Sequence, residues 1–150
     1  MAVGGIPAAN QTHAVDAVLA ALEIQRCMER LKREKSERGE DFWELRLGIH
    51  SGPLVAGVIG EKKFAYDVWG DTVNTASRLE SSGEKGRVNI SGTTYHAVQQ
   101  FFQCEFRGNI PAKNKGEIEM YFVTGILPHL AEADGITPND RFRNRYATLG

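Results

Sequence analysis

Between residues 10 and 38 the chain contains neither glycine nor proline, although the whole sequence of 150 residues holds 16 of the first and 5 of the second. The run is rich in Ala, Leu, Glu, Lys and Arg, the residues that lose least on becoming helical, so it predicts one long helix over 10–38. Asn10 or Thr12 caps its start, Asp16 sits in an early turn, and Arg33, Lys35 and Arg38 gather before Gly39, as the helix dipole favours. Its apolar residues form two stripes by the i, i+3, i+4, i+7 rule: Val15, Val18, Leu19 and Leu22, then Ile24, Cys27, Met28 and Leu31. Such a helix is expected to be covered from two directions.

From residue 42 the apolar period falls to two, with Trp43, Leu45, Leu47 and Ile49 alternating against Glu44, Arg46, Gly48 and His50. This predicts a half-buried strand that turns at Gly52-Pro53 and pairs as a hairpin with the run 54–59. A helix is expected from Asp71 to Ser81, a break at 83–86, a short strand over 88–90 and a short helix from Thr93 to about Gln100. Strands follow at 102–107 and 118–126, separated by a Gly, Pro, Asn and Lys loop over 108–116. Residues 127–150 carry Pro128, Gly135 and Pro138 with little periodicity and read as a tail, so the domain is placed at 1–126. The order is mixed α+β.

Composition removes several function classes. A formal net charge of -1 lacks the basic footprint of a nucleic-acid-binding domain. Cys27 and Cys104 are distant and form no CxxC pair, so neither a zinc site nor a disulfide framework is indicated. No stretch approaches the ~18 apolar residues of a membrane span, and the opening lacks the features of a signal peptide, which leads to an expectation of a cytoplasmic location without membrane contact. His50 beside Ser51 lacks a G-x-S-x-G elbow, residues 57–63 lack the phosphate-loop spacing, and Arg107-Gly108-Asn109 departs from the RNA-recognition motif after two letters. Each of these reads as structure.

The segments Gly48-Ile49-His50-Ser51-Gly52 and Phe64-Ala65-Tyr66-Asp67-Val68-Trp69-Gly70-Asp71-Thr72-Val73-Asn74-Thr75-Ala76-Ser77-Arg78-Leu79-Glu80 carry the specific signal. With Val88-Asn89-Ile90-Ser91, the Lys113-Asn114-Lys115-Gly116 loop and Met120-Tyr121-Phe122-Val123, they resemble the catalytic domain of class III nucleotidyl cyclases. The resemblance implies a ferredoxin-like α+β cyclase fold, with an antiparallel sheet, helices on one face and the N-terminal strand or strands missing. It also implies an activity, conversion of ATP to 3',5'-cyclic AMP and pyrophosphate in signalling. Independently of it, Asn74 and Arg78 lie four apart on one helical face, with Val73, Ala76 and Leu79 largely opposite. An arginine fork suits phosphate oxygens, and an asparagine can hold a sugar or a bound water. By resemblance Arg78 stabilises the charge on the α-phosphate and Asn74 orients the ribose. Asp67 occupies the purine-reading position and favours adenine over guanine, hence ATP over GTP. On its own, Asp67 reads first as a carboxylate pairing with Lys62 or Lys63, and only the motif context reverses that order. Lys113 matches the lysine on the β- and γ-phosphates, with Lys115 as its neighbour and competitor.

Family enzymes use Mg2+ or Mn2+ held by two aspartates, one on the first strand and one just before the segment matching residues 4–7. This sequence has no counterpart for either, nor for the purine-reading lysine upstream, and Asp16 and Asp71 match other positions, so no metal ligand is assigned. Turnover by this chain alone is therefore not expected. Loss of the first strand is also expected to uncover Val15, Val18, Leu19 and Leu22, with dimerisation or strand exchange as the remedy. Because family sites straddle a head-to-tail dimer, the partner is expected to be a second copy or another cyclase protomer. The rival reading is a non-catalytic partner that binds nucleotide or completes the half-site of an intact cyclase.

Overall fold

The computed structural model describes residues 1–60, 65–112 and 116–150. Its elements run α1 (His13–Glu37), β1 (Leu47–Ile49), β2 (Val55–Ile59), β3 (Ala65–Trp69), α2 (Asp71–Ser81), β4 (Val88–Ser91), α3 (Gly92–Val98), β5 (Phe102–Ala112), β6 (Gly116–Ile126), a 3-10 turn (Pro128–Leu130) and α4 (Asp140–Ala147). The long helix stands where its composition predicts. Asn10 Oδ1 accepts from the His13 amide at 2.8 Å, and Thr12 Oγ1 donates to Asp16 Oδ2 at 2.8 Å, closing the first turn.

Four strands form one sheet in the order β1, β4, β6, β5, with β4 to β6 and β5 to β6 antiparallel. The remaining pair, β1 with β4, is parallel, Leu47 facing Val88 and Ile49 facing Ile90. The expected hairpin between residues 43–49 and 54–59 does not form: β2 pairs instead with β3, as a separate two-stranded arm. The strand at 43–49 is also shorter than its alternation suggests, beginning only at Leu47. Its partner β4 starts at Val88, and the turn before it offers only isolated bonds, Gly86 N–H to Leu45 O at 2.8 Å, so Trp43 has nothing to pair with and is 83% exposed. Conversely β5 and β6 run further than expected, to Ala112 and from Gly116, with a register shift between Phe106 and Gly108 that leaves Arg107 as the extra residue.

The helices divide between the two faces of the sheet rather than sharing one. Val88 and Ile90 project from β4 into a core with Ala14, Val15, Val18, Ala21 and Leu22 of α1 and Val98 of α3. Between them, Asn89 projects the other way and bonds α2 through the Leu79 carbonyl. Gly48 of β1 faces α2 as well: a Cβ there would stand 2.1 Å from the Glu80 nitrogen, so only glycine lets the helix backbone rest on the strand.

The α1 stripe expected to lose cover is closed, with Val15, Val18 and Leu22 buried and Leu19 half-buried. Part of that cover comes from residues 127–150, which sequence pattern alone reads as a tail. Leu130 and Phe142 are buried in the same core, Phe142 against Phe101 and Phe102 at ring-centroid distances of 5.0 and 6.0 Å, and Tyr146 Oη donates to Asp16 Oδ1 at 2.6 Å. Asn139 caps α4 by accepting from the Arg141 and Phe142 amides. At roughly 1.5–3 kcal/mol per buried large apolar side chain, this segment contributes a sizeable part of domain stability. The second stripe is covered only in part: Ile24 and Leu31 are exposed, while Cys27 and Met28 are half-buried.

Candidate functional site

The site is built around α2. Gly70, at a φ of 129° that side chains rarely adopt, turns the chain out of β3 and into the helix, where Asp71 complements the positive N-terminal end. Thr72 Oγ1 donates to the Pro53 carbonyl at 2.5 Å, tying the first turn to the loop after β1. The buried stripe is Thr72, Thr75 and Leu79, with Val73 and Ala76 only half-buried, a rotation of one position from the expected apolar stripe. Threonine tolerates this placement because its hydroxyl has an acceptor at hand, as Thr72 shows. Asn74 and Arg78 remain together on the exposed face, as their spacing requires.

Arg78 is held at its tip. Its Nη1 donates to the Pro111 carbonyl near the end of β5 at 3.1 Å, fastening α2 to that strand. Lys113 and its competitor Lys115 lie outside the described residues. Asp67 is exposed on β3, opposite Gly57 of β2, and its Oδ1 accepts from the Val68 amide at 2.8 Å. Lys62 and Lys63, its alternative partners, also lie outside the described residues. The structure thus brings Asn74 and Arg78 onto one helix face and fastens the β5 to β6 hairpin to it, while Asp67 belongs to the arm that feeds that helix.

His50 sits between β1 and α3: its Nδ1 is 2.8 Å from Ser91 Oγ, which is 3.1 Å from Thr94 Oγ1. Ser91 accepts from the Thr94 amide and so caps α3, which makes this cluster a structural joint. Two groups with displaced proton affinity lie away from α2. Burial pushes the Cys104 thiol up to about 11, and bonds from Thr137 and the Ile136 amide hold Asp134 down to about 2. A cleft of about 540 Å³ opens between the C-terminal half of α1 and the sheet, lined by Leu22, Met28, Lys32, Trp43, Arg87 and Val123. None of Asp67, Asn74 and Arg78 lines it.

Among the described residues, no three His, Cys, Asp or Glu side chains converge where a cation could be held. The Mg2+ or Mn2+ that the resemblance implies does not fit these residues. No helix among them is long and apolar enough to cross a membrane.

Comparison with known proteins returns one consistent answer. Residues 1–125 match the family described as the adenylate and guanylate cyclase catalytic domain. Atrial natriuretic peptide receptor 2 of Rattus norvegicus is 39% identical over 128 residues, which is 83% of this chain and 12% of the receptor. An adenylate cyclase of Mycobacterium bovis is 36% identical over 125 residues, 83% of this chain and 27% of that protein. The chain therefore spans only a small part of the curated relatives it matches. Among solved structures, the guanylate cyclase domain of RhGC from Catenaria anguillulae in complex with GTP superimposes with a TM-score of 0.71 at 35% identity, covering 83% of this chain and 66% of that one.

Proposed function

The chain belongs to the adenylate and guanylate cyclase catalytic-domain family, and on that premise we propose that it supplies the arginine and asparagine half of a cyclase site that turns ATP into 3',5'-cyclic AMP. The ribose 3'-oxygen attacks the α-phosphorus, the bond from that phosphorus to the bridging oxygen breaks, and pyrophosphate leaves, with the hydroxyl proton released to the medium. Arg78 meets the negative charge that grows on the α-phosphate oxygens, an interaction stronger in the transition state than in the ground state. Asn74, one turn earlier on the same face, orients the ribose. Lys113 neutralises the β- and γ-phosphates. Asp67 accepts from the adenine amino group, and this carboxylate is what supports ATP over GTP, since the similar proteins include an adenylate cyclase and a guanylate cyclase domain bound to GTP.

The observation that carries the proposal is the exposed pair Asn74 and Arg78, on a helix whose opposite side is anchored and whose arginine is bonded to the Pro111 carbonyl of β5. The complementary half is assigned to a partner protomer, a second copy or another cyclase. Its docking element is the β2 to β3 arm, which exposes Val55 and Val58 at 66% and 64% together with Ile59 and Trp69. In this reading the chain works in the cytoplasm, where nucleoside triphosphates are held. A second reading, a partner that completes another protomer's site without turning over itself, draws on the lack of fit between a divalent cation and the described residues.

One mixing experiment tests both. The chain is combined with an intact cyclase protomer whose own matching arginine has been replaced, and cyclic nucleotide is measured with ATP and with GTP. Restored cyclic AMP formation that disappears with Arg78→Ala supports the composite site, and no restoration at any mixing ratio overturns it. Cyclic AMP from the unmixed chain, above an Arg78→Ala control, would sink the partner reading and show the chain to be sufficient. Preference for GTP would overturn the assignment of Asp67. Val58→Lys is expected to abolish restoration by blocking assembly, seen as loss of the mixed dimer in sedimentation.

A further inference from the structure

Asn89 is fully buried on β4, yet only half of its amide is used. Its Nδ2 donates to the Leu79 carbonyl at 2.8 Å and lies 3.5 Å from Met120 Sδ, while its Oδ1 has no partner among the described residues. An orphaned buried acceptor is a cost to the fold that a leucine of similar size would avoid. What asparagine supplies and leucine does not is the bond to the last turn of α2. There the backbone donors leave a gap: the Ser82 amide goes to Arg78 O and the Gly83 amide to Glu80 O, so the Leu79 carbonyl between them is served by Asn89.

A second clamp comes from β5. Arg107 Nη1 donates to the Ser82 carbonyl at 2.6 Å, and its guanidinium lies 4.2 Å over the Phe122 ring of β6, paired with Glu84 at 3.8 Å. Both clamps hold carbonyls that follow Arg78 within one turn, those of Leu79 and Ser82, and the Arg78 tip is bonded to Pro111 of the same sheet. We propose that Asn89 and Arg107 are positioning residues for Arg78: they fix the end of α2 against β4 and β5, so that the guanidinium is placed by the rigid sheet rather than by a fraying helix terminus. The inference rests on the reading of Arg78 as the group that meets the phosphate, and it extends that reading to two side chains that never touch nucleotide. A displacement of about 1 Å at a charge-stabilising group lowers rate by up to roughly 100-fold, so small slack at this helix end has a large consequence.

The test uses the full chain in three variants. Asn89→Leu keeps the volume and removes the donor, Asn89→His restores an N–H at Nδ1, and Arg107→Met keeps the stem over Phe122 without the bond to Ser82. Nitrogen NMR of the Arg78 side chain, with amide exchange at Ser82 and Gly83, reports the positioning without any need for turnover. Asn89→Leu and Arg107→Met are expected to shift the Arg78 signal and to speed exchange about tenfold or more, with Asn89→His returning most of both. In the mixing assay kcat is expected to fall about tenfold while KM stays within about twofold. If Asn89→Leu fails to fold, Arg107→Met alone decides. An Arg78 signal and exchange rates that match the unsubstituted chain overturn the proposal. Failure of the unsubstituted chain to restore activity overturns the composite site instead, and leaves the positioning result standing on the NMR.

Discussion

On the face covered by α1, α3 and α4, β4 projects Val88 and Ile90 into an apolar core, whereas on the face covered by α2 the same strand projects Asn89 and Ser91. The first face is closed by volume: Phe101, Phe102 and Phe142 fill it, and no bond geometry dictates where each ring lies. The second is closed by direction, through the Asn89 amide, the Arg107 fork, and a glycine that lets backbone meet backbone at Gly48. Apolar burial is non-directional and supplies stability, while hydrogen bonds supply little net stability and fix geometry. The domain therefore uses one face chiefly for stability and the other chiefly for geometry.

Substitutions that separate stability from geometry put that contrast at risk. Phe142→Ala carries the largest expected effect, a loss of about 3–5 kcal/mol from the cavity it leaves, read by denaturant unfolding. The folded fraction should still restore activity in the mixing assay, and a collapse of specific activity would show that the two faces are not independent. Arg78→Ala should do the reverse, lowering restored turnover by about 100- to 1000-fold with little change in unfolding midpoint. Gly48→Ala should disturb both, costing about 1–3 kcal/mol and displacing α2, because the added methyl meets helix backbone that has no free rotamer to move.

Two titrations extend the contrast at smaller effect. The Cys104 thiol, buried beside the core, keeps its proton up to about 11 instead of the ordinary 9.0. From pH 9 upward the unfolded chain sheds this proton before the folded one does. Stability is therefore expected to fall as pH rises from 9 to about 11, and the alkylation rate of Cys104 should rise near the upper value. Asp134 has the opposite sign: its carboxylate is held near 2 against an ordinary 3.8, chiefly by Thr137 and the Ile136 amide. Its contribution is present above pH 3.8 and is lost as pH falls through about 2. Exposed as it is, Asp134→Asn should flatten only a small acid limb in a pH series of unfolding midpoints.

Much of the fold is legible in residue order because the cues are local. Gly- and Pro-free composition marks α1, Asp71 and the spacing of Asn74 and Arg78 mark α2 and its exposed face, and the Gly, Pro, Asn and Lys run over 108–116 separates the strands β5 and β6. The misreadings share a cause as well. Residues 43–49 alternate correctly but have a ladder partner only from Leu47, and 54–59 is flanked by two possible partners of which it takes the later. Segment 127–150 lacks periodicity because Leu130 and Phe142 are single anchors rather than stripes. At the proposed site, the shared face of Asn74 and Arg78 is readable from their spacing and Asp67 stands out only through the family resemblance, whereas Asn89 looks like any polar residue in a short strand. Its one visible signal is an amide side chain between two β-branched residues in a run that is otherwise ready for burial.

Residue order by itself determined α1, α2 and α3, most strand positions, the family and the shared face of Asn74 and Arg78, since each depends on neighbours a few positions apart or on a pattern of side-chain types. Only the tertiary structure decided which strands pair, that the last residues close the core over α1, and that the end of α2 is held from β4 and β5. Those contacts join residues up to 130 positions apart, as Asp16 and Tyr146 are, and are selected by the shape and unmet hydrogen bonds of surfaces that exist only once the chain has folded.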